Sequence, residues 1–289
     1  MVYRRDFRRN GVRHRFLRGM SVTNLLIMIT AVIFFAFLVA SFFYPSFISF
    51  VALKPSFILS GIYLWTLFSS IFMHGSFFHL FVNMLSLFFL GNLTEQILGR
   101  RRFIWFYIVA GIVGSLFFVL FAYLGTLFYR GDFIFGGIDD LAVGASGAIF
   151  GLLGILATLL PRKRVYLIVG PLIVIIIQVL VSAIPNVPTS IASIINIASG
   201  ILIFVMIFSM FSSNLIFRKI ALPLGLPFWL APIVAIVPLL IIGFFIKLPI
   251  KLPIGNMAHF GGLVAGLFYG AYLRNKYKHK VKLLNKIIK

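Results

Sequence analysis

Gly144-Ala145-Ser146-Gly147-Ala148-Ile149-Phe150-Gly151 ends a polar, glycine-rich connection and opens an apolar run that reaches Leu160. A second apolar run opens about a hundred residues later with Ala258-His259-Phe260-Gly261-Gly262-Leu263-Val264-Ala265-Gly266. Each run is helix-length and carries one chemically capable polar side chain at its head. The fold therefore turns on whether the two heads face the same side of the chain's layers.

Composition settles the solvent. Apolar residues make up 62% of the chain and charged residues 11%, with a mean hydropathy of +1.12. Together these exclude an ordinary soluble domain. Several runs of about 18 or more apolar residues can each cross a hydrocarbon core of roughly 30 Å, so the chain reads as an all-α polytopic membrane protein. With no cysteine, disulfides, thiol catalysis and thiolate metal sites are excluded. The net charge of +21 sits in clusters at residues 1–18, 100–102, 162–164 and 218–219 and from Arg274 onward. Clusters beside alternate helix ends are the positive-inside pattern that orients membrane proteins. The charge thus has a topological explanation, and no nucleic-acid partner is implied.

Eight spans fit, at roughly 24–44, 77–98, 103–128, 146–160, 165–184, 191–213, 227–246 and 257–273. The first ends in Phe42-Phe43-Tyr44-Pro45 instead of a small-residue cleavage site, and so reads as a retained helix. Alternation from a basic, cytoplasmic N-terminus puts all five basic clusters inside and both helix heads, Ser146 and His259, outside. The expected organisation is a basic cytoplasmic tail over 1–23, a membrane domain over 24–273, and a basic cytoplasmic tail over 274–289. Residues 45–76 are too apolar for a water-exposed loop and are expected in the membrane interface. Residues 129–145, with Asp132, Asp139 and Asp140, read as an exposed, flexible loop. In the C-terminal tail, Tyr277, Val281, Leu284 and Ile288 recur at helical spacing among lysines. That suits either an amphipathic helix on an anionic inner leaflet or a solvated basic tail.

Helix rise gives depth. Ser146 is 16 residues from Arg162, His259 is 15 from Arg274 and Asn83 is 17 from Arg100, or about 22–26 Å at 1.5 Å per residue. All three fall short of a full core and are expected at one level below the outer boundary. Polar groups at that depth face the bundle interior or a water-filled cavity. Alone, Ser146 would read as a small packing residue and His259 as a packing or ligand-contacting one. Asn83 could equally bond between helices, with His79 at an interface. Together they suit nucleophilic catalysis. Gly144 and Gly147 admit close backbone approach beside Ser146, and Gly262 and Gly266 form a G-x-x-x-G face one turn past His259. His79 and Asn83 lie four apart on one helical face and can donate hydrogen bonds to a developing oxyanion, as can the Ser146 N–H. His74 lies just above them and suits a water path.

The stretch from Trp65-Thr66 through His74-Gly75-Ser76-Phe77-Phe78-His79-Leu80-Phe81-Val82-Asn83-Met84 resembles the approach to the second core helix of rhomboid intramembrane serine proteases. Gly91, Glu95, Gly99 and Arg102-Phe103 resemble the end of that helix. Gly144-Ala145-Ser146-Gly147 matches the family's G-x-S-G, and His259 with Gly262 and Gly266 matches its final H-x-x-G-x-x-x-G. The resemblance covers about 24–160 and 257–273. It implies Ser146 as nucleophile and His259 as general base, a dyad without the aspartate of soluble triads. It further implies His79 and Asn83 as oxyanion donors and Phe150 as an aromatic that stacks on the histidine. The implied reaction is hydrolysis of peptide bonds in or near transmembrane segments of protein substrates, with no metal or organic cofactor. The site would open to the external side of the cell membrane. Thr66 departs from the Trp-Arg often found in the family's first external loop. The separation of 112 positions from Ser146 to Ala258 leaves room for about two helices beyond a six-helix core, within about 161–256.

Two other readings compete. A catalytically silent relative would bind transmembrane helices as an adaptor, and its expected signature is loss of Ser or His, neither of which is lost. A small-solute transporter is suggested by the Pro-rich 221–253 stretch, Gln178 and Asn196, but no repeated halves or carboxylate relay accompany them.

Overall fold

A computed structural model describes residues 19–129, 131–182, 184, 187–237 and 255–287. The N-terminal basic cluster, the latter part of the seventh expected span (238–246) and Ile288 lie outside the described residues. Among the described residues, four helices are long and apolar enough to cross a membrane: α1 (Val22–Phe43), α2 (Phe77–Leu98), α3 (Arg100–Gly125) and α6 (Thr189–Ser209). Between them lie α4 (Ser146–Leu159) and α5 (Val169–Ser182), and α7 (Asn256–Lys276) and α8 (Lys278–Ile287) follow. The protein is an all-α polytopic integral membrane protein, as its composition predicts.

Two compact units divide the chain, Met1–Ile155 with Met257–Gly266, and Leu156–Asn256 with Leu267–Lys289. In the first unit, α1, α2 and α3 are joined at one end by a buried carboxylate. Glu95 accepts hydrogen bonds from the Val22 and Thr23 backbone N–H groups at 2.9 and 2.8 Å and from the Thr23 hydroxyl at 2.8 Å. The first turn of a helix has N–H groups without intrahelical acceptors and carries partial positive charge, so Glu95 satisfies both needs of α1 at once. Arg100 lies 3.7 Å from the same carboxylate and donates to the Met20 carbonyl at 2.7 Å. Glu95→Ala is expected to destabilise the protein by about 1.5–3 kcal/mol, since charged hydrogen bonds are lost and two buried donors are orphaned. Thermal unfolding in detergent would measure it, with Glu95→Gln as the milder control.

The long connection 45–76 is ordered. It forms short helices at Ile48–Val51, Pro55–Leu59 and Thr66–Ser69, and Tyr63 joins edge-on ring contacts with Phe50, Phe57 and Trp65. The 129–145 segment is not the loose loop its glycines and aspartates predict. It contains a helical turn, Gly131–Phe135, and is stitched to the 45–76 connection. Leu53 and Ala142 exchange backbone hydrogen bonds, and Ser56 N–H donates to the Ile138 carbonyl. The Asp139 carboxylate accepts from Lys54 and the Ser56 hydroxyl, both at 3.0 Å. Glycine content alone did not foretell this, because the order comes from pairing with a segment some eighty residues away.

The second unit corrects another expectation. The run expected as a single span over 165–184 begins with a strand, β1 (Arg164–Ile168), antiparallel to β2 (Pro223–Pro227). Only the 14 residues of α5 remain helical before residue 183, about 21 Å of rise. Val165 and Ile168 favour extended backbone in β1, Pro223 and Pro227 keep β2 out of a helix, and hydropathy averaged over a window cannot separate such a run from a helix. Gln178 Nε2 donates to Asn196 Oδ1 at 2.7 Å, tying α5 to α6. These are the two polar side chains that suggested a transporter, and they satisfy each other.

Candidate active site

Every site residue inferred from the sequence lies in the first unit. Ser146 is the first helical residue of α4, where first-turn N–H groups have no intrahelical acceptor. Gly144, two residues earlier, has φ +132°, a backbone that side chains rarely adopt. A Cβ there would lie 2.9 Å from the His79 ring and 3.7 Å from Ser146 Oγ. Glycine therefore answers two demands, the turn into α4 and the space taken by His79.

His259 lies in the first turn of α7. Its Nε2 is 2.8 Å from Ser146 Oγ, a good hydrogen bond across 113 residues of chain. Phe150, one turn into α4, stacks on the imidazole with centroids 4.5 Å apart and planes 13° from parallel. The ring needs no hydroxyl to hold the histidine in plane. Phe150→Ala is expected to lower any turnover by up to about tenfold, the upper end of the worth of an aromatic contact. Phe150→Tyr should retain most of it, and comparing the two rates tests the stacking.

Helix packing permits this closeness. A Cβ on Gly262 would overlap the Gly147 carbonyl, and one on Gly266 would overlap the Gly151 carbonyl. The G-x-x-x-G face of α7 therefore meets the small face of α4, as the glycine spacing predicts. Sequence reading missed a third partner. Gly114 of α3 would place a Cβ 2.8 Å from the Ala258 carbonyl oxygen, so α3 also supports the start of α7. Its signal was the small-residue spacing Ala110 to Gly114.

On α2, the Ser76 hydroxyl accepts from the His79 N–H at 3.1 Å and caps the helix. The side-chain amide of buried Asn83 donates to the His79 carbonyl at 2.9 Å. No hydrogen bond joins Asn83 to Ser146 among the described residues. His74 is buried, with its ring 5.1 Å from that of His79. Its Nε2 accepts from the Ala145 N–H at 3.5 Å, which requires the neutral Nδ1–H tautomer. Burial, with His79 second, pushes its pKa down to about 3, in keeping with that acceptor role. His74 thus contacts the residue before Ser146. Gly144 N–H donates to the Ser70 carbonyl at 2.9 Å, a second contact no motif announced.

The Lys54–Asp139 contact sits in the connection leading to this turn. The Lys54 and Ser56 hydrogen bonds hold the Asp139 carboxyl below its ordinary 3.8. A carboxylate lowered in the folded state contributes stability above its unfolded pKa, and loses it as pH falls through the folded value. The protection of the Leu53 and Ala142 amides, taken relative to the intrinsic exchange rate at each pH, is therefore expected to hold at neutral pH and to fall only below about pH 4. Asp139→Asn should show the lower protection already at neutral pH.

The fold and site define a polytopic membrane protein with a Ser–His contact between glycine-faced helices. A family model described as Rhomboid domain matches residues 62–209, and the chain belongs to the rhomboid family. It is 39% identical over 116 residues to RHOMBOID-like protein 1 of Arabidopsis thaliana, covering 40% of this chain and 26% of that protein. It is 35% identical over 91 residues to the Putative rhomboid protease YdcA of Bacillus subtilis (strain 168), covering 32% and 39%. Another relative, Inactive RHOMBOID-like protein 8 of Arabidopsis thaliana, is 35% identical over 100 residues, covering 35% and 24%. The chain therefore spans well under half the length of these relatives.

Proposed function

We propose that this protein is an intramembrane serine endopeptidase that hydrolyses peptide bonds in or near transmembrane segments of membrane-protein substrates. The observation that carries it is the 2.8 Å approach of His259 Nε2 to Ser146 Oγ. Ser146 Oγ attacks the scissile carbonyl while its proton passes to His259 Nε2. The tetrahedral oxyanion is stabilised by first-turn N–H groups of α4, the His79 ring and the Asn83 amide. The Asn83 amide has two N–H donors, of which one is given to the His79 carbonyl, and the other would serve the oxyanion. His259 then gives the proton to the leaving amine, and water resolves the acyl-enzyme by the same path in reverse. No metal enters these steps.

The 14-residue length of α4 supports a recessed serine, since about 21 Å of helix does not cross a full core. Substrate helices must unwind locally, because an intact helix hides its carbonyls in hydrogen bonds. Helix-breaking residues near the scissile bond should therefore raise the rate. From the charge pattern, the termini belong in the cytoplasm and the site opens to the external face of the plasma membrane.

The name of the inactive relative keeps a second reading open, an adaptor that binds transmembrane helices without cutting them. A fluorophosphonate probe with purified protein separates the two. Labelling that disappears in Ser146→Ala and falls sharply in His259→Ala supports the protease. A wild-type protein that retains a transmembrane reporter but neither labels nor cleaves would make it an adaptor.

A further inference from the structure

All five acidic residues (Asp6, Glu95, Asp132, Asp139 and Asp140) belong to the first compact unit. The second unit holds lysines and arginines and not one Asp or Glu. Its cations therefore have no carboxylate side chain in their own unit. This charge is concentrated on α8, which carries Lys278, Lys280, Lys282 and Lys286 in ten residues.

The helix has two distinct sides. Val281, Leu284 and Asn285 are half-buried. Asn285 Nδ2 donates to the Leu159 carbonyl at 2.7 Å and to its own Val281 carbonyl at 2.9 Å. The first of these bonds satisfies one of the C-terminal carbonyls that α4 leaves without an intrahelical donor. At 100° per residue, Lys278, Lys282 and Lys286 form one row along the helix. His279 and Leu283 fall beside that row, opposite the half-buried side. All five are exposed, with Leu283 at 57%. An apolar side chain held outward beside a row of cations is the arrangement of a helix lying in a headgroup layer. Charge selects anionic headgroups, and the apolar residue selects a bilayer over a soluble polyanion.

We propose that α8 is a membrane-surface helix that uses this basic row and Leu283 to bind anionic phospholipid headgroups. The proposal does not rest on proteolysis. The chain has no cysteine, so His279→Cys, exposed beside the row and leaving Leu283 in place, carries a single polarity-sensitive fluorophore without further engineering. The full-length protein would be placed in nanodiscs of phosphatidylcholine alone or mixed with phosphatidylglycerol.

The expected result is a blue shift, and loss of quenching by aqueous iodide, in the phosphatidylglycerol discs only. High salt should reverse both, because headgroup attraction is screened within a Debye length. The same labelled protein with Lys278, Lys282 and Lys286 all changed to Gln should show neither change. A label at Tyr129, 94% exposed in the first unit, should not respond and controls for general effects of lipid. Equal emission in the two discs would overturn the proposal, as would a shift that survives the triple substitution. A larger response to added polyglutamate in phosphatidylcholine discs would also overturn it, pointing to a soluble acidic partner.

Discussion

Ser146→Ala is expected to reduce cleavage of a transmembrane reporter by about 10⁴-fold or more, with the fold and reporter binding retained. The size follows from what is removed. Without Oγ there is no covalent path, and only oxyanion donors and positioning remain to accelerate attack by water. His259→Ala should fall nearly as far, because the hydroxyl 2.8 Å away then has no base. The double variant should be little worse than either single one, since residues that act as a unit are not additive. Single-turnover cleavage in detergent or proteoliposomes, beside melting curves for each variant, gives the measurement. Additive losses in the double variant would mean that the two residues do not work together.

Gly262→Val is expected to be the most damaging change outside the reacting pair. Even a Cβ at this position overlaps the Gly147 carbonyl, and that atom belongs to backbone that no rotamer change can move. The helices must separate, at a cost of about 1–3 kcal/mol or more for overpacking. The separation acts at the site, because Gly147 follows Ser146 and Gly262 lies one turn past His259. A displacement of about 1 Å in such a pair can cost about 10²-fold in rate. The expected signature is a lower melting temperature together with a lower kcat. Gly200→Val on α6, where a Cβ meets nothing within 4 Å, should change neither much.

Much of the site was legible because its demands are chemical and local. The serine and histidine stand at the heads of apolar runs, and the glycines that let those runs meet recur at helical spacing. Span parity needed only the positive-inside rule. Glu95 was visible as the one acid within a span, but its partners were not. Nothing local says that the start of α1 comes back to it across 72 residues. The Lys54–Asp139 contact and the His74 contact were hidden for the same reason. The strand pair of the second unit was missed because an apolar run has the same hydropathy whether helical or extended.

By itself, the sequence determined the solvent, the class and the residues capable of chemistry. Burial of apolar surface in lipid, charge asymmetry and helical periodicity act over a few turns of chain and leave their mark in composition and spacing. Only the tertiary structure decided how those residues meet. The 2.8 Å contact, the Phe150 stack, the amide of Asn83 turned back to its own helix and the third glycine contact from α3 all depend on packing between distant elements. Such packing is set by shape and by satisfying buried polar groups together, and neither is written at any one position.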